Sequence, residues 1–198
     1  MLRIGLTGGI GSGKTTISNQ FHSRYNIPII DADEISRELL SPNGKAYDET
    51  IELFGSECVL ESKNINRQLL REKIFADDNL RVSLERIIHP KVQAEITFQV
   101  KLLNSTYCII VIPLLIESNM QSMVDRILVI DTSKENQLDR VSSRDQCSKD
   151  HVEDILSAQI DSSQRLKYAD DIITNNGKPK DLIQQIHQLH QKYLALTI

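Results

Sequence analysis

The chain has 198 residues, of which 40% are hydrophobic and 25% charged, with a formal net charge of −4 at pH 7. This composition is typical of one globular domain, and the length leaves room for an inserted lobe. The negative balance argues against general attraction to nucleic acid or membrane surfaces. The longest apolar run, residues 108–116, contains Pro113 and is too short to span a bilayer.

A glycine-rich stretch follows a short apolar run at residues 2–6. Residues 8–15, the phosphate loop, read Gly-Gly-Ile-Gly-Ser-Gly-Lys-Thr and match the pattern G-x-x-x-x-G-K-[ST] at every fixed position. Glycines keep side chains out of the ligand's path, and the amino end of the following helix attracts anions. Lys14 can reach the β- and γ-phosphates, and the Thr15 hydroxyl can bind Mg²⁺. We therefore predict that the nucleotide contacts Gly9, Gly11, Ser12, Gly13, Lys14, Thr15 and Thr16.

A helix ending near Asn26 and a short buried strand over residues 27–31 are predicted next. The strand leads into two carboxylates, Asp31 and Asp33, at the edge where parallel α/β sheets bind ligands. Asp33 can orient an acceptor hydroxyl in line with the γ-phosphate and take its proton. Asp31 is the weaker candidate, as an indirect partner of Mg²⁺. The alternative for either residue is a helix N-cap.

Residues 34–104 have a helical pattern that is interrupted at residues 41–44, Ser-Pro-Asn-Gly. Asn66 and Asp78 are predicted N-caps. Pro90 is predicted to lie in the first turn of a new helix. The segment therefore reads as a helical lobe inserted between two strands.

Three further strands are predicted over residues 107–113, 126–131 and 169–174. Between the last two, Thr132 and Glu135 form a possible capping box for a helix, and Ser148 or Asp150 can cap the next one. A C-terminal helix follows the last strand. Strands that alternate with helices predict a three-layer α/β fold with a central parallel sheet.

Several polar residues in this second half are candidates for nucleotide contacts. Arg140 and Arg144 share a helix face and can clamp ATP phosphates, although an exposed, solvated face is the competing interpretation. Asp131 ends a strand as a Walker B aspartate does, or caps the next helix. Asn175 and Gly177 can contact adenine or form an ordinary turn. Lys149, Arg165 and Lys167 are weaker candidates for phosphate contacts. His89 is either a structural residue or a substrate contact. His187 and His190 are three residues apart on the predicted C-terminal helix, but no third zinc ligand is evident.

Three classes of nucleotide-binding protein are considered for this pattern. A regulatory GTPase would have N-K-x-D and D-x-x-G motifs, and the sequence has neither. A remodelling ATPase would usually be larger. A small-molecule kinase needs the loop, an acceptor lobe and an arginine-bearing lid that excludes water, and these follow in order along the chain.

The sequence resembles the dephospho-CoA kinase family over almost its whole length. The resemblance is carried by residues 4–15, by Asp31-Ala-Asp33, Leu70-Arg71, Ile74-Phe75 and Leu84-Glu-Arg-Ile-Ile-His-Pro90, and by Ile112-Pro-Leu-Leu-Ile-Glu117, Gln137-Leu-Asp-Arg140, Arg144-Asp145, Ala158-Gln159 and Ala169-Asp-Asp-Ile-Ile-Thr-Asn175. It implies ATP-dependent phosphorylation of the ribose 3′-hydroxyl of dephospho-CoA, the last step of coenzyme A synthesis, with Mg²⁺. Another P-loop small-molecule kinase or a non-kinase switch is the alternative.

The same resemblance assigns roles to individual residues. It implies that Asp33 is the base, that Lys14 and Arg140 stabilise the transferred phosphoryl group, and that Asn175 lies near adenine. Arg71 and His89 are implied to line the CoA side. The expected division is a core of residues 1–33, 105–134 and 166–198, an acceptor lobe of residues 34–104 and a lid of residues 135–165.

The three cysteines, Cys58, Cys108 and Cys147, show no C-x-x-C spacing. We therefore expect free thiols and a cytoplasmic location. No signal peptide is expected, because the phosphate loop begins too close to Met1. No obligate protein partner is evident from the sequence.

Overall fold

A computed structural model describes residues 1–197 and has a parallel β-sheet at its centre. Over these residues the sheet has five strands in the order β2-β3-β1-β4-β5. Leu6 on the central strand lies beside Val111 on one neighbour and Leu128 on the other. The strands are β1 (Leu2–Thr7), β2 (Ile29–Asp31), β3 (Tyr107–Val111), β4 (Arg126–Asp131) and β5 (Asp171–Thr174).

Helices connect the strands, as the sequence predicts, and the predicted parallel α/β fold is confirmed. The phosphate loop joins β1 to the first helix and so opens at the carboxyl edge of the sheet, beside its central strand. The helices are α1 (Lys14–Tyr25), α2 (Ala32–Leu39), α3 (Tyr47–Phe54), α4 (Arg67–Ala76), α5 (Asp78–Leu102), α6 (Lys134–Asp145), α7 (Lys149–Ser157), α8 (Ser162–Leu166) and α9 (Pro179–Ala195).

The chain forms two compact units. The first comprises residues 1–31 and the chain from Leu103 onward, and the second comprises Ala32–Leu102. In the first unit, α1 and α9 cover the sheet over a core of buried residues that includes Ile4, Phe21 and Tyr193. In the second unit, α2, α3 and α4 pack on the long helix α5. Among residues 1–197, none of the helices is long and apolar enough to cross a membrane.

Three predicted helix ends agree with the structure. The Asn66 side chain accepts a hydrogen bond from Leu69 N at 3.1 Å, and Ser148 accepts one from His151 N at 3.3 Å, so both predicted caps are confirmed. Asn26 ends α1 in a left-handed conformation with φ 53°. A residue with φ > 0 cannot continue a right-handed helix, and Asn tolerates that conformation better than most residues.

Other predicted boundaries are wrong. Pro90 does not begin a helix but lies inside α5, where its missing N–H leaves the Arg86 carbonyl without its helical donor. Asp77, and not Asp78, accepts from the Asn79 amide at 2.8 Å. The cap of α6 is Ser133, one residue later than predicted. The short helix α8 was not predicted, because five residues contain too little periodicity to detect.

Candidate active site

The phosphate loop leads directly into the amino end of α1. Gly13 precedes the helix with φ 98°, a conformation that L-residues rarely adopt, and Lys14 is the first helical residue. The Lys14 Nζ atom donates hydrogen bonds to the carbonyl oxygens of Gly8 at 2.7 Å and Gly9 at 3.2 Å. The first turn of α1 contains no acidic residue, so the positive end of its dipole is not offset locally. The loop therefore combines backbone N–H groups, an ammonium group and a helix amino end, which together suit a polyphosphate.

Two other elements approach the loop so closely that its glycines have no room for a side chain. A Cβ atom on Gly11 would lie 2.7 Å from Val141 Cγ2 of α6. A Cβ atom on Gly13 would lie 2.5 Å from the Nδ2 atom of Asn175, which follows β5 and donates to Ser12 O at 2.7 Å. Contacts from α6 and from the residues after β5 therefore restrain the loop backbone.

Arg140 connects these elements through its guanidinium group. Its Nη2 atom donates to Asn175 O at 2.9 Å and its Nη1 atom to Gly11 O at 3.4 Å. Asn175 in turn is anchored to the sheet by its N–H, which donates to Asp131 O at 2.8 Å. The structure thus brings the predicted residues Lys14, Arg140 and Asn175 together around one loop.

The other basic residues of the α6–α7 segment are held by local acids. Arg144 is exposed and makes a bidentate pair with its neighbour Asp145, at 2.7 and 2.8 Å. Hydrogen bonding from Arg144 lowers the pKa of Asp145. Lys149 pairs with Asp139 at 2.5 Å, and Lys167 is exposed. Surface pairs of this kind contribute little to stability and exchange readily, so they leave Arg144 available to a ligand.

Thr15 and Thr16 are exposed in the first turn of α1. Asp131 ends β4 and accepts a hydrogen bond from Ser162 Oγ at 3.1 Å. Among the described residues no group of three His, Cys, Asp or Glu side chains could hold a metal ion. Mg²⁺ commonly takes only one or two protein oxygens and completes its shell with waters and substrate phosphates. The hydroxyl and carboxylate groups here fit a magnesium ion of that kind.

The predicted acceptor-side residues belong to the second unit. Asp33 lies in the first turn of α2, two residues after β2 ends, and is exposed. Its backbone oxygen accepts from Arg37 Nε at 3.1 Å. Arg71 is exposed on α4, and His89 is half-buried within α5. The expected helix junction at His89 is therefore wrong, because α5 runs through it.

His187 and His190 have structural partners on α9. The Nδ1 atom of His187 lies 3.0 Å from Tyr25 Oη, and the Nδ1 atom of His190 lies 2.9 Å from Tyr107 Oη. The ring of His190 stacks on Tyr25 with centroids 3.9 Å apart. Burial lowers the pKa of His190, which favours its neutral form. The pair helps α9 pack on α1 and β3.

Sequence reasoning missed several residues that contact the loop. Gln137 donates to the Ile10 carbonyl, and Gln159 accepts from the Ile10 N–H. Arg165, ranked only as a weak candidate, is buried with 5% of its surface exposed and pairs with Glu117 at 3.6 Å. Gln159 and Glu117 stand in stretches that carried the family resemblance, and that was the available signal. Spacing alone could not place them at the loop.

Comparison with known proteins agrees with this geometry. A family model described as dephospho-CoA kinase matches residues 2–181. A dephospho-CoA kinase of Coxiella burnetii is 42% identical over 198 residues, covering 100% of this chain and 99% of the relative. That of Vibrio parahaemolyticus is 40% identical over 195 residues, covering 98% and 96%. The solved structure of dephospho-CoA kinase from Campylobacter jejuni superposes with a TM-score of 0.71 at 28% identity, covering 99% and 98% of the two chains.

Proposed function

The chain belongs to the dephospho-CoA kinase family, and on that premise we propose that its phosphate loop, Arg140 and Asp33 perform the phosphoryl transfer. The enzyme transfers a phosphoryl group from ATP to the ribose 3′-hydroxyl of dephospho-CoA, giving coenzyme A and ADP. Such transfers pass through a loose transition state, so the protein contributes mainly positioning and charge stabilisation.

Lys14, Arg140 and Asn175 form the donor half of the proposed site. When ATP binds, the Lys14 ammonium exchanges its contacts with the carbonyls of Gly8 and Gly9 for phosphate oxygens. Arg140 adds a second cation next to Gly11 and stabilises charge on the transferred group. Asn175 packs against Gly13 and contacts the adenine end of the nucleotide. Arg144 is released from Asp145 and contributes a further phosphate contact.

Magnesium is part of the proposal, with the Thr15 hydroxyl as its ligand from the protein. The ion supplies charge neutralisation on the phosphates when it is bound. Thr15 is exposed beside Lys14, where a hydroxyl can reach a phosphate-bound ion. Asp31 and Asp131 each end a strand of the sheet at the edge where the loop opens, so either carboxylate can support the ion through water.

Asp33, Arg71 and His89 form the acceptor half of the proposed site. Asp33 orients the 3′-hydroxyl and takes its proton during transfer. Residues 34–104 form the acceptor lobe, with Arg71 and His89 on its CoA-facing side, and residues 135–165 form a lid that excludes water from the phosphoryl group. A cytoplasmic location is also proposed, supported by the free thiols of Cys58, Cys108 and Cys147 in the described chain.

The convergence of Lys14, Arg140 and Asn175 on one glycine loop is the observation that carries the donor site. The assignment of Asp33 needs an experiment. Asp33→Asn is expected to lower kcat by about 10²-fold or more, because the amide cannot accept the proton. ATP affinity, measured by calorimetry, should be unchanged.

Glu38→Gln is the matched control, since Glu38 is an exposed carboxylate on the same helix. It should leave kcat unchanged. Turnover by Asp33→Asn within a few-fold of the parent enzyme would remove Asp33 from the mechanism.

A further inference from the structure

Two glutamines hold the backbone N–H and C=O groups of one phosphate-loop residue, Ile10, and so restrain the two successive peptide groups that meet at its Cα. Gln137 Nε2 donates to Ile10 O at 2.6 Å, and Ile10 N donates to Gln159 Oε1 at 3.0 Å. A backbone N–H can only donate and a carbonyl can only accept, so these partners fix the orientation of both side-chain amides. Because the Ile10 C=O and the Gly11 N–H share one planar trans peptide, the contact with Gln137 also turns the Gly11 N–H to the opposite side, away from Gln137.

The two glutamines come from different parts of the chain. Gln137 is on α6 and is 8% exposed, whereas Gln159 is half-buried in the irregular segment between α7 and α8. The backbone hydrogen bonds of α6 fix the position of Gln137. Gln159 lies just beyond α7, tied to it by its N–H, which donates to Leu156 O at 3.1 Å, so its position also depends on what holds the residues that follow.

A largely buried ion pair holds the backbone N–H and C=O groups of Ile160, the residue immediately after Gln159. Glu117 Oε1 accepts from Ile160 N at 3.3 Å, and Arg165 Nη2 donates to Ile160 O at 2.9 Å. The same two side chains pair with each other at 3.6 Å, with 18% and 6% of their side-chain surfaces exposed. Glu117 lies after β3 and Arg165 on α8, so the connection extends from the sheet to the loop.

Arg165 also reaches the loop directly. A Cβ atom on Gly9 would lie 3.5 Å from Arg165 Nη1 and 3.4 Å from Gln159 Oε1, and it would overlap Gln137 Nε2. Gly9 is therefore enclosed by the same side chains that hold Ile10. Buried ion pairs usually stabilise a fold no better than apolar residues of similar size would. Stability alone is thus a poor explanation for two charges at this place.

We propose that Glu117, Arg165 and Gln159 are positioning residues that set the phosphate loop in its ATP-binding conformation. Glu117 and Arg165 fix the backbone of Ile160, which places Gln159, and Gln159 in turn holds the Ile10 N–H. None of the three needs to touch the reacting atoms. The inference rests on the proposed role of the phosphate loop in binding the ATP phosphates.

The most direct variant is Gln159→Met, which keeps the side-chain length and removes the acceptor. We expect KM for ATP to rise by about 3- to 10-fold, the usual effect of one lost hydrogen bond. Hydrogen exchange at the Ile10 amide, followed by NMR, should become faster, while Tm changes little because Gln159 is half-buried. Gln159→Glu retains an acceptor and should restore slow exchange at Ile10.

Arg165→Met tests the buried pair, with Asp171→Asn as the matched control. Asp171 is a buried carboxylate in the same unit, paired with Arg126 at 3.0 Å and Lys192 at 2.5 Å, but at the amino end of β5. Both variants should lower Tm. Only Arg165→Met should raise KM for ATP and expose the Ile10 amide to exchange. Combining Arg165→Met with Gln159→Met should add little further increase in KM, because both act through the hydrogen bond to the Ile10 N–H.

The inference is overturned if Gln159→Met leaves both KM for ATP and Ile10 exchange unchanged, or if Arg165→Met lowers Tm with unchanged KM, as the control does. Lys14→Ala separates this outcome from failure of the donor site itself. If Lys14→Ala loses ATP affinity while Gln159→Met does not, only the positioning role is wrong. Unchanged ATP affinity in Lys14→Ala would refute the phosphate-loop assignment on which the positioning role depends.

Discussion

Gly13→Ala should destabilise the protein through two separable effects. The backbone at residue 13 has φ 98°, and an L-residue in such a left-handed conformation costs about 1–2 kcal/mol. The new Cβ would also lie 2.5 Å from Asn175 Nδ2, which must move and give up its 2.7 Å hydrogen bond to Ser12 O. That bond contributes about 0.5–1.5 kcal/mol. The sum is about 2–3 kcal/mol, or a Tm lower by roughly 4–12 °C for a protein of this size.

A double-mutant cycle separates these effects. Gly13→Ala and Asn175→Ala are measured alone and together by urea and thermal unfolding. With Asn175 truncated the Cβ has open space, so Gly13→Ala should cost about 1 kcal/mol less than in the parent protein. Gly177→Ala is the control, because its Cβ would meet only the flexible Asp181 carboxyl group, at 3.2 Å. It should change stability by no more than about 0.5 kcal/mol.

An equal cost for Gly13→Ala in both backgrounds would show that Asn175 does not restrict this glycine. The close contact between Gly13 and Asn175 would then be refuted. A cost below about 0.5 kcal/mol in either background would contradict the left-handed backbone itself.

Two further predictions concern charged side chains. Arg140→Ala should lower kcat by about 10²- to 10³-fold, and Arg140→Lys should be intermediate, because one ammonium cannot reproduce the contacts with both Gly11 O and Asn175 O. A loss confined to ATP affinity in steady-state kinetics would contradict the role of Arg140 in transfer. Burial raises the pKa of Asp171, but hydrogen bonds from Lys192 and Arg126 outweigh it and hold the pKa below its usual value. Asp171 therefore makes its full contribution to the free energy of unfolding above its unfolded pKa of about 3.9. That contribution is lost as the pH falls below this value. Asp171→Asn should lower Tm by roughly 6–20 °C at pH 7 and by less at pH 3; a difference independent of pH would exclude this linkage.

Sequence reasoning succeeded where local chemistry decides structure. The pattern of residues 8–15 predicts the loop and the start of α1, because only that glycine spacing allows the turn from β1 into the helix. The β-branched runs predict β3 and β4, which are buried on both faces of the sheet. Arg140 and Asn175 both lie against the loop, and their contact with the nucleotide stays a prediction.

Contacts between distant parts of the chain could not be predicted in the same way. Gln137 and Gln159 are more than 120 residues from Ile10, and nothing in their local sequence predicts a hydrogen bond to the Ile10 backbone. Arg165 looks like an exposed basic residue until Glu117 is brought beside it. Pro90 would normally end a helix, but packing of α2, α3 and α4 on α5 outweighs one missing hydrogen bond.

The central claim is that ATP bound at this loop donates its γ-phosphoryl group to one dedicated acceptor and leaves as ADP. ADP release should be measured with dephospho-CoA, AMP, shikimate or water as the acceptor, together with product mass. The expected result is ADP release that depends on dephospho-CoA, one coenzyme A formed per ADP, and loss of both in Lys14→Ala. ADP release at the same rate without dephospho-CoA, or an equal rate with AMP or shikimate, would contradict it.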